Sequence, residues 1–448
     1  MKTEEEEEEQ GAPRVGEHVQ ELIPQKRGEG AYGCYYYPRV PCDRLTAEQM
    51  RRIDEAEVLG SKVQAKSRLL DRELAHIKRL VERVPEHHLY FVVPKRVCGL
   101  DEERHVSDCE QLMEHKGRRR RHRHRDRDRR NRKRSRGGLG AEPKAPSPCG
   151  GRKGCLGLGG GAAASTSARG EELDLMSFDY DRSSRWVNML MTNVEHRVSL
   201  HAYLRSLPHT ERWSGLLHMY KHLTQATLYL KGVGLVHWDM HLENVLVDAR
   251  TGVPYIIDFG LSVDATDATE RRDFARFGVK PRFYRWTFET QFLMWGGLGG
   301  EDEAGGATGA VVDALVDHAR FFDICSVEFR RRYVRGAKAF YAGLTKAHAR
   351  SDLLWLGWPT WDTYSLAVLF LQFICSMYSS GFHVNNRMLR GLLKLLLDSV
   401  HYDWRRRPSS EATLERINGL LERSYERSEM ELSREYPTFL DAQGCPEP

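Results

Sequence analysis

The sequence predicts an α+β chain, with a smaller strand-rich first part and a larger, mainly helical second part. Three observations lead to this. Strand-like runs gather early, among them Tyr35–Tyr37, Val58–Val63 and Trp186–Met191. Helical periodicity takes over later, most clearly over 211–232, where Leu216, Leu217, Tyr220, Leu223, Ala226, Thr227 and Leu230 share one face. The stretch GLVHWDMHLENVLVDARTGVPYIIDFGLS, Gly234 to Ser262, reads as a strand hairpin with polar residues at its ends.

Taken in order, residues 1–20 open with six consecutive glutamates and form an acidic tail too polar to offset the entropy of ordering. The first part, 21–111, begins with Gly28, Gly30 and Gly33 in a G-x-G-x-x-G pattern followed by aromatic strand residues. Glycines so placed let a turn bring its backbone N–H groups close to phosphate. A helix is expected over 46–58, then a short strand carrying Lys62. Next comes a helix over 65–84, with Leu69, Leu70, Leu74, Ile77, Leu80 and Val81 at helical spacing and Glu73 among them. His88–Pro94 reads as a strand. From 112 to 170 apolar periodicity disappears, and an Arg-rich run passes into Gly, Ala and Ser, as a disordered insert does. Residues 171–195 complete the first part, 196–425 form the second with a Gly-rich insert at 296–310, and 426–448 are a tail.

Charge is distributed unevenly. Residues 116–136 hold fourteen Lys or Arg and two Asp, a charge of +12 in a chain whose total is +5, so the remainder is mildly acidic. This run suits a nuclear-import receptor or nucleic acid, which would place the protein in the nucleus, and equally suits a solvated linker. No aromatic side chains interleave the arginines to stack on bases. No apolar run is long enough to span a bilayer, and the apolar stretch 364–378 reads as a buried helix. Nine cysteines without a C-x-x-C pair indicate neither a zinc site nor a disulfide framework, and lead to the expectation of a reducing, intracellular setting. Nothing in the sequence bears on oligomeric state.

The chemistry is concentrated in the hairpin. His237, Asp239, His241 and Asn244 stand at one end and Asp258, Phe259 and Gly260 at the other. Two carboxylates and a carboxamide suit magnesium, which takes oxygen ligands and keeps part of its water. H-W-D-M-H-L-E-N followed fourteen residues later by D-F-G resembles the catalytic and metal-binding loops of the protein kinase superfamily. Further along, W-D-T-Y-S-L at 361–366 and D-W-R-R-R-P-S at 403–409 resemble the family's large-lobe helix opening and its late arginine motif.

The resemblance implies a bilobal protein-kinase-like fold that uses ATP and magnesium to phosphorylate Ser or Thr hydroxyls of protein substrates. It implies that Asp239 receives or orients the hydroxyl proton, that Asn244 and Asp258 hold the metal, and that Gly28, Gly30, Gly33 and Lys62 contact the nucleotide phosphates. Glu73 would pair with Lys62, for which Lys66 is the rival, and Met191 to Glu195, with Met191 and Val194, would form the adenine-contacting hinge. Asp362 would accept hydrogen bonds from the catalytic-loop backbone, Arg407 would pair with Glu289, and His237 and Phe259 would pack with Ile77. The W-T-F-E sequence and the lysine strand look like the divergent kinases of large DNA viruses, for which a host nucleus or a virion is the expected place.

There are two departures from the family pattern. His241 stands where protein kinases carry a lysine near the transferred phosphate, and an ordinary histidine is only partly charged at neutral pH. Small-molecule phosphotransferases of the aminoglycoside type share this histidine, and a pseudokinase that binds partners through its Arg-rich insert is the other alternative. Trp238 stands where regulated kinases carry the arginine that pairs with a phosphorylated activation segment, so activity without phosphorylation there is expected.

Overall fold

The computed structural model describes residues 24–30, 33–42, 48, 59–100, 107–110, 112, 178–179, 184, 186–194, 196–275, 285–295, 304–345, 351–379 and 387–425. The acidic tail, the Arg-rich run 116–136, Glu195, most of the helix expected at 46–58 and the C-terminal tail lie outside them. The chain divides into two compact units, Met1–Lys66 with Pro94–Asn193 and Ser67–Val93 with Val194–Pro448. The helix bearing Glu73, expected with the first part, thus groups with the second unit.

The first unit is built on a six-stranded sheet: β1 (Gln25–Gly30), β2 (Gly33–Tyr37), β3 (Leu59–Ala65), β4 (Pro94–Leu100), β5 (Phe178–Asp179) and β6 (Trp186–Thr192). Their order is β1-β2-β3-β6-β4-β5, antiparallel except for β4 with β5. Cys34, Tyr36, Val40, Val63, Leu100, Cys109, Leu112 and Trp186 form one core cluster, so Leu112, expected to begin the insert, belongs to the core. Gly33 is forced by close packing, because a Cβ there would run into the Val63 carbonyl and stand 2.8 Å from Gln64 Cβ on the next strand. Of the strand expected at 88–94, His88 and Leu89 belong to a 3-10 turn at Pro85–Leu89, Phe91 makes only an isolated bridge to Ile256, and β4 starts at Pro94.

Disulfides join Cys34 to Cys109 and Cys42 to Cys98, which overturns the expectation that the cysteines form no such framework. Sequence separations of 75 and 56 carry no local signature. They tie the segment of β2 to that of β4, which the sheet keeps two strands apart. Asn188 reinforces the tie by donating to Val40 O at 2.8 Å, and Tyr36 by donating to Asp108 Oδ1 at 2.8 Å. Replacing Cys42 and Cys98 by Ser is expected to lower stability by about 2–4 kcal/mol, read as a lower urea midpoint. Peptide mapping without reductant should recover both linked pairs, and free thiols at all four positions would refute the expectation.

The second unit opens with α1 (Arg68–Arg83), capped by Ser67, whose hydroxyl accepts from Leu70 N–H at 3.1 Å. The strand β7 (Arg197–Ser199) leads through a Ser199 cap into α2 (Leu200–Ser206), and the long α3 (His209–Gly232) follows. Short strands come next: β8 (Leu235–Val236), β9 (Val245–Asp248), β10 (Pro254–Ile256) and β11 (Val263–Asp264). They pair as β10-β9-β7 and β11-β8, so the hairpin read from the sequence is present. The helices α4 (Ala268–Ala275), α5 (Phe288–Trp295), α6 (Ala304–His318), α7 (Val327–Thr345), α8 (Ser351–Trp355), α9 (Trp361–Ser379), α10 (Arg387–Ser399) and α11 (Ser410–Tyr425) complete the unit.

α9 runs through the core. Leu366 to Leu371 are all buried, and Phe370 packs on Tyr220 of α3 with ring centroids 4.9 Å apart. This is the buried helix expected from its all-apolar run, and among the described residues no helix is long and apolar enough to cross a membrane. Residues 304–310, expected within a Gly-rich insert, are the first turns of α6. Burial of Val311, Val312, Leu315 and Val316 further along outweighs the low helix propensity of its glycines.

Candidate active site

The loop 237–244 is held from below by one carboxylate. His237 N–H donates to Asp362 Oδ2 at 2.8 Å and Trp238 N–H to Asp362 Oδ1 at 2.9 Å, which is the arrangement expected for Asp362. Burial pushes the Asp362 carboxyl above its ordinary range despite His237 and the two N–H donors.

Two non-glycine residues of the site have left-handed backbone, Trp238 and Asp258, each with φ of 65°. Such a conformation persists only when its surroundings over-determine it. At Trp238 they do: its N–H is held by Asp362, its carbonyl accepts from Trp286 Nε1 at 2.8 Å, and its ring stacks on Trp286 at 4.3 Å and 14°. Asp258 Oδ1 accepts from Gly260 N–H at 3.1 Å, closing a tight turn over Phe259.

His237 is fully buried, with Nε2 bonded to Ile257 O at 3.0 Å and its ring edge-on to Phe259 at 5.1 Å. The ring contact that the sequence did not reveal is Phe91, 5.8 Å from Phe259. Residues 90–92 run beside β10, with Val92 N–H on Ile256 O at 3.0 Å and Ile256 N–H on Tyr90 O at 2.9 Å.

Around Asp239 the polar atoms converge. Asn244 Nδ2 donates to Asp239 O at 2.9 Å and to Asp239 Oδ2 at 3.1 Å, and His241 Nε2 lies 3.3 Å from the same Oδ2. Ile257 N–H donates to Asn244 O at 3.0 Å, which sets Asp258 directly after a backbone bond to the asparagine. With its nitrogen committed to Asp239, Asn244 has its Oδ1 left for a cation. Asn244 Oδ1 and the Asp258 carboxylate are oxygen donors of the kind magnesium takes and are the residues that would hold it. Among the described residues no group of three or more His, Cys, Asp or Glu is placed to hold a metal by itself.

His241 Nδ1 is 2.6 Å from Glu243 Oε2, and Arg285 Nη1 is 3.7 Å from that oxygen. Burial pulls the His241 pKa down and Arg285 adds to this, but hydrogen bonding and charge from Asp239 and Glu243 outweigh them and hold it above the ordinary histidine value. The carboxylate neighbours thus shift His241 towards the cation relative to an ordinary histidine.

The remaining expected site residues lie elsewhere in the chain. Gly28 and Gly30 are in β1 and Gly33 in β2, with Gly30 registered against Gly33. Lys62 is within β3, opposite Tyr35 and Met189, whereas Lys66 lies beyond the strand end. Met191 is in β6 opposite Gly60, Val194 O accepts from Arg197 N–H at 3.2 Å, and Glu73 is buried on α1.

Behind the site, Arg407 and Glu289 form a bidentate pair at 2.7 and 2.9 Å with neither side chain exposed, as expected for these two. Tyr341 Oη also donates to Glu289, at 3.0 Å, and Arg407 Nε to His401 O at 2.6 Å. His401 is buried beside this pair. Its Nδ1 accepts from Asp403 N–H at 2.9 Å, and Nε2 has no partner among the described residues. Burial, with Arg406 and Arg407 nearby, pulls its pKa down to about 4. The unfolded chain binds the proton at higher pH than the folded one. Stability is therefore expected to fall as pH drops below about 6.5, by roughly 1.4 kcal/mol per unit, and to level off below the folded value. His401→Gln should flatten that slope in urea titrations, and an unchanged slope would refute the assignment.

Residues 180–284 match the family model of protein tyrosine and serine/threonine kinases. The matched range contains the whole Asp239–Asn244–Asp258 arrangement, and it supports a place for this region in the protein kinase superfamily. No curated protein matches the chain.

Proposed function

We propose that the chain is an ATP- and magnesium-dependent protein kinase that transfers the γ-phosphate to Ser or Thr hydroxyls of protein substrates. The observation that carries this reading is the fixed geometry of Asp239, whose carboxylate is oriented by Asn244 and His241 on a loop tied to Asp362. Asp239 orients the attacking hydroxyl and takes its proton. Asn244 Oδ1 and the Asp258 carboxylate would hold magnesium, which would supply charge neutralisation at the phosphates. His241, favoured as the cation, stands beside Asp239 in place of the usual lysine and offers positive charge to the transferred group. The kinase resemblance assigns nucleotide-phosphate contacts to Gly28, Gly30, Gly33 and Lys62, and the adenine-contacting hinge to Met191 and Val194. The Ser/Thr preference rests on the absence of tyrosine-specific features in 237–244, and the resemblance to kinases of large DNA viruses on the W-T-F-E and lysine-strand sequences.

The test is label transfer from γ-labelled ATP to a generic basic protein, with phosphoamino-acid analysis, for wild type beside Asp258→Ala. Wild type should label Ser and Thr only with magnesium present. Asp258→Ala should lower the rate by about a hundredfold or more, as loss of charge stabilisation does. Labelling of a metabolite and no protein would favour a small-molecule phosphotransferase.

A further inference from the structure

The segment that follows Asp258 is fastened to α1 by side chains the mechanism above does not use. His76 is buried on α1, with Nδ1 2.8 Å from Ser262 Oγ and Nε2 2.9 Å from Glu270 Oε1. Ser262 Oγ donates to Phe259 O at 2.6 Å, so it accepts from His76, and the carboxylate of Glu270 also accepts. His76 thus bridges Ser262 through Nδ1 and the Glu270 carboxylate through Nε2. One turn along α1, Arg79 Nη1 meets Asp264 Oδ2 at 2.5 Å.

The two pairs are joined. Glu270 Oε2 accepts from Asp264 N–H at 2.8 Å, so a single carboxylate holds α1 with one oxygen and β11 with the other. β11 in turn pairs with β8, immediately before His237. On the far side Phe274 of α4 packs on Trp238 at 4.4 Å. Residues 262–275 are therefore anchored to α1 through charge and hydrogen bonds and to the catalytic loop through aromatic contact. In a switched enzyme an added phosphate supplies the anion that basic groups hold, ordering such a segment. Here that anion is encoded as Glu270.

We propose that Glu270, with His76 and the Arg79–Asp264 pair, is a built-in clamp that holds the segment after Asp258 in its working position without a phosphorylated residue in that segment. His76 and Glu270 are positioning residues: they act through Ser262 and Phe259 on the turn that aims Asp258. The proposal rests on the kinase reading and adds to it the regulation of the same site.

The experiment compares the full chain before and after treatment with a broad-specificity protein phosphatase, and then Glu270→Ala, Glu270→Gln and His76→Gln, with kcat and the KM for ATP measured separately. Phosphatase-treated wild type should keep its kcat within about twofold. Glu270→Ala should lower kcat about tenfold or more with KM for ATP little changed, as a misplaced catalytic group does. Glu270→Gln should fall between, because its amide oxygen still accepts from Asp264 N–H. Should Glu270→Ala melt early by circular dichroism, His76→Gln carries the same expectation. Asp239-dependent transfer in wild type that is lost on phosphatase treatment, or retained in full by Glu270→Ala and His76→Gln, would overturn the clamp alone. Wild type without Asp239-dependent transfer would overturn the kinase reading and the clamp's role in it together.

Discussion

Asp239→Asn is expected to lower kcat by about 10²–10⁴-fold, the range lost when a positioned proton acceptor is removed. The variant is nearly isosteric, so the Asn244 Nδ2 bond at 3.1 Å can persist to the new amide oxygen and the loop remains tied to Asp362. What disappears is the negative charge, and with it the partner that favours the His241 cation. Nucleotide affinity, measured by calorimetry with a non-hydrolysable ATP analogue, should change little, while single-turnover transfer collapses. A variant retaining a third or more of the wild-type rate would remove Asp239 from the mechanism.

Arg407→Ala is expected to cost about 3–5 kcal/mol of stability in urea unfolding, because it strands the Glu289 carboxylate in a site with no exposure. Tyr341 alone would remain to satisfy it. The Glu289 charge outweighs burial and raises the Arg407 pKa, so the guanidinium keeps its charge inside the core. Arg407→Lys should recover little, since an ammonium cannot reproduce the two parallel bonds at 2.7 and 2.9 Å. Replacing both partners by apolar residues of similar volume should cost less than Arg407→Ala, because no charge is then left unpaired. A single-variant loss below about 1 kcal/mol would show that the pair is not the structural tie it resembles.

Much of the second unit was legible in the sequence. The 211–232 periodicity gave α3 to within two residues, the apolar run at 364–378 gave a buried α9, and the Thr251-Gly252 turn between two short apolar runs gave the β9–β10 hairpin. These signals are local, since each follows from residue spacing along one element. The pairings Asp362 with 237–238 and Arg407 with Glu289 are long-range, yet short motifs pointed to them.

What escaped were contacts with no periodic or motif signal. Phe91 against Phe259, Trp286 beneath Trp238 and His76 on Glu270 each bring together residues from segments far apart in sequence. The disulfides escaped for the same reason, as did the 3-10 turn at Pro85–Leu89, which Pro85 opens and which takes in His88 and Leu89 from the run read as a strand.

By itself the sequence determined which residue types could do chemistry here and in what order they come: acid, amide and acid spaced to meet at the ends of a hairpin, with helices to carry them. Only the tertiary structure decided how those groups are held: a left-handed Trp238 stacked on Trp286, a His241 whose charge is favoured by two carboxylates, and a Glu270 that grips α1 and β11 at once. The reason is physical. Spacing along a chain constrains one element, whereas burial, charge and the direction of a hydrogen bond depend on neighbours that only folding brings within a few ångströms.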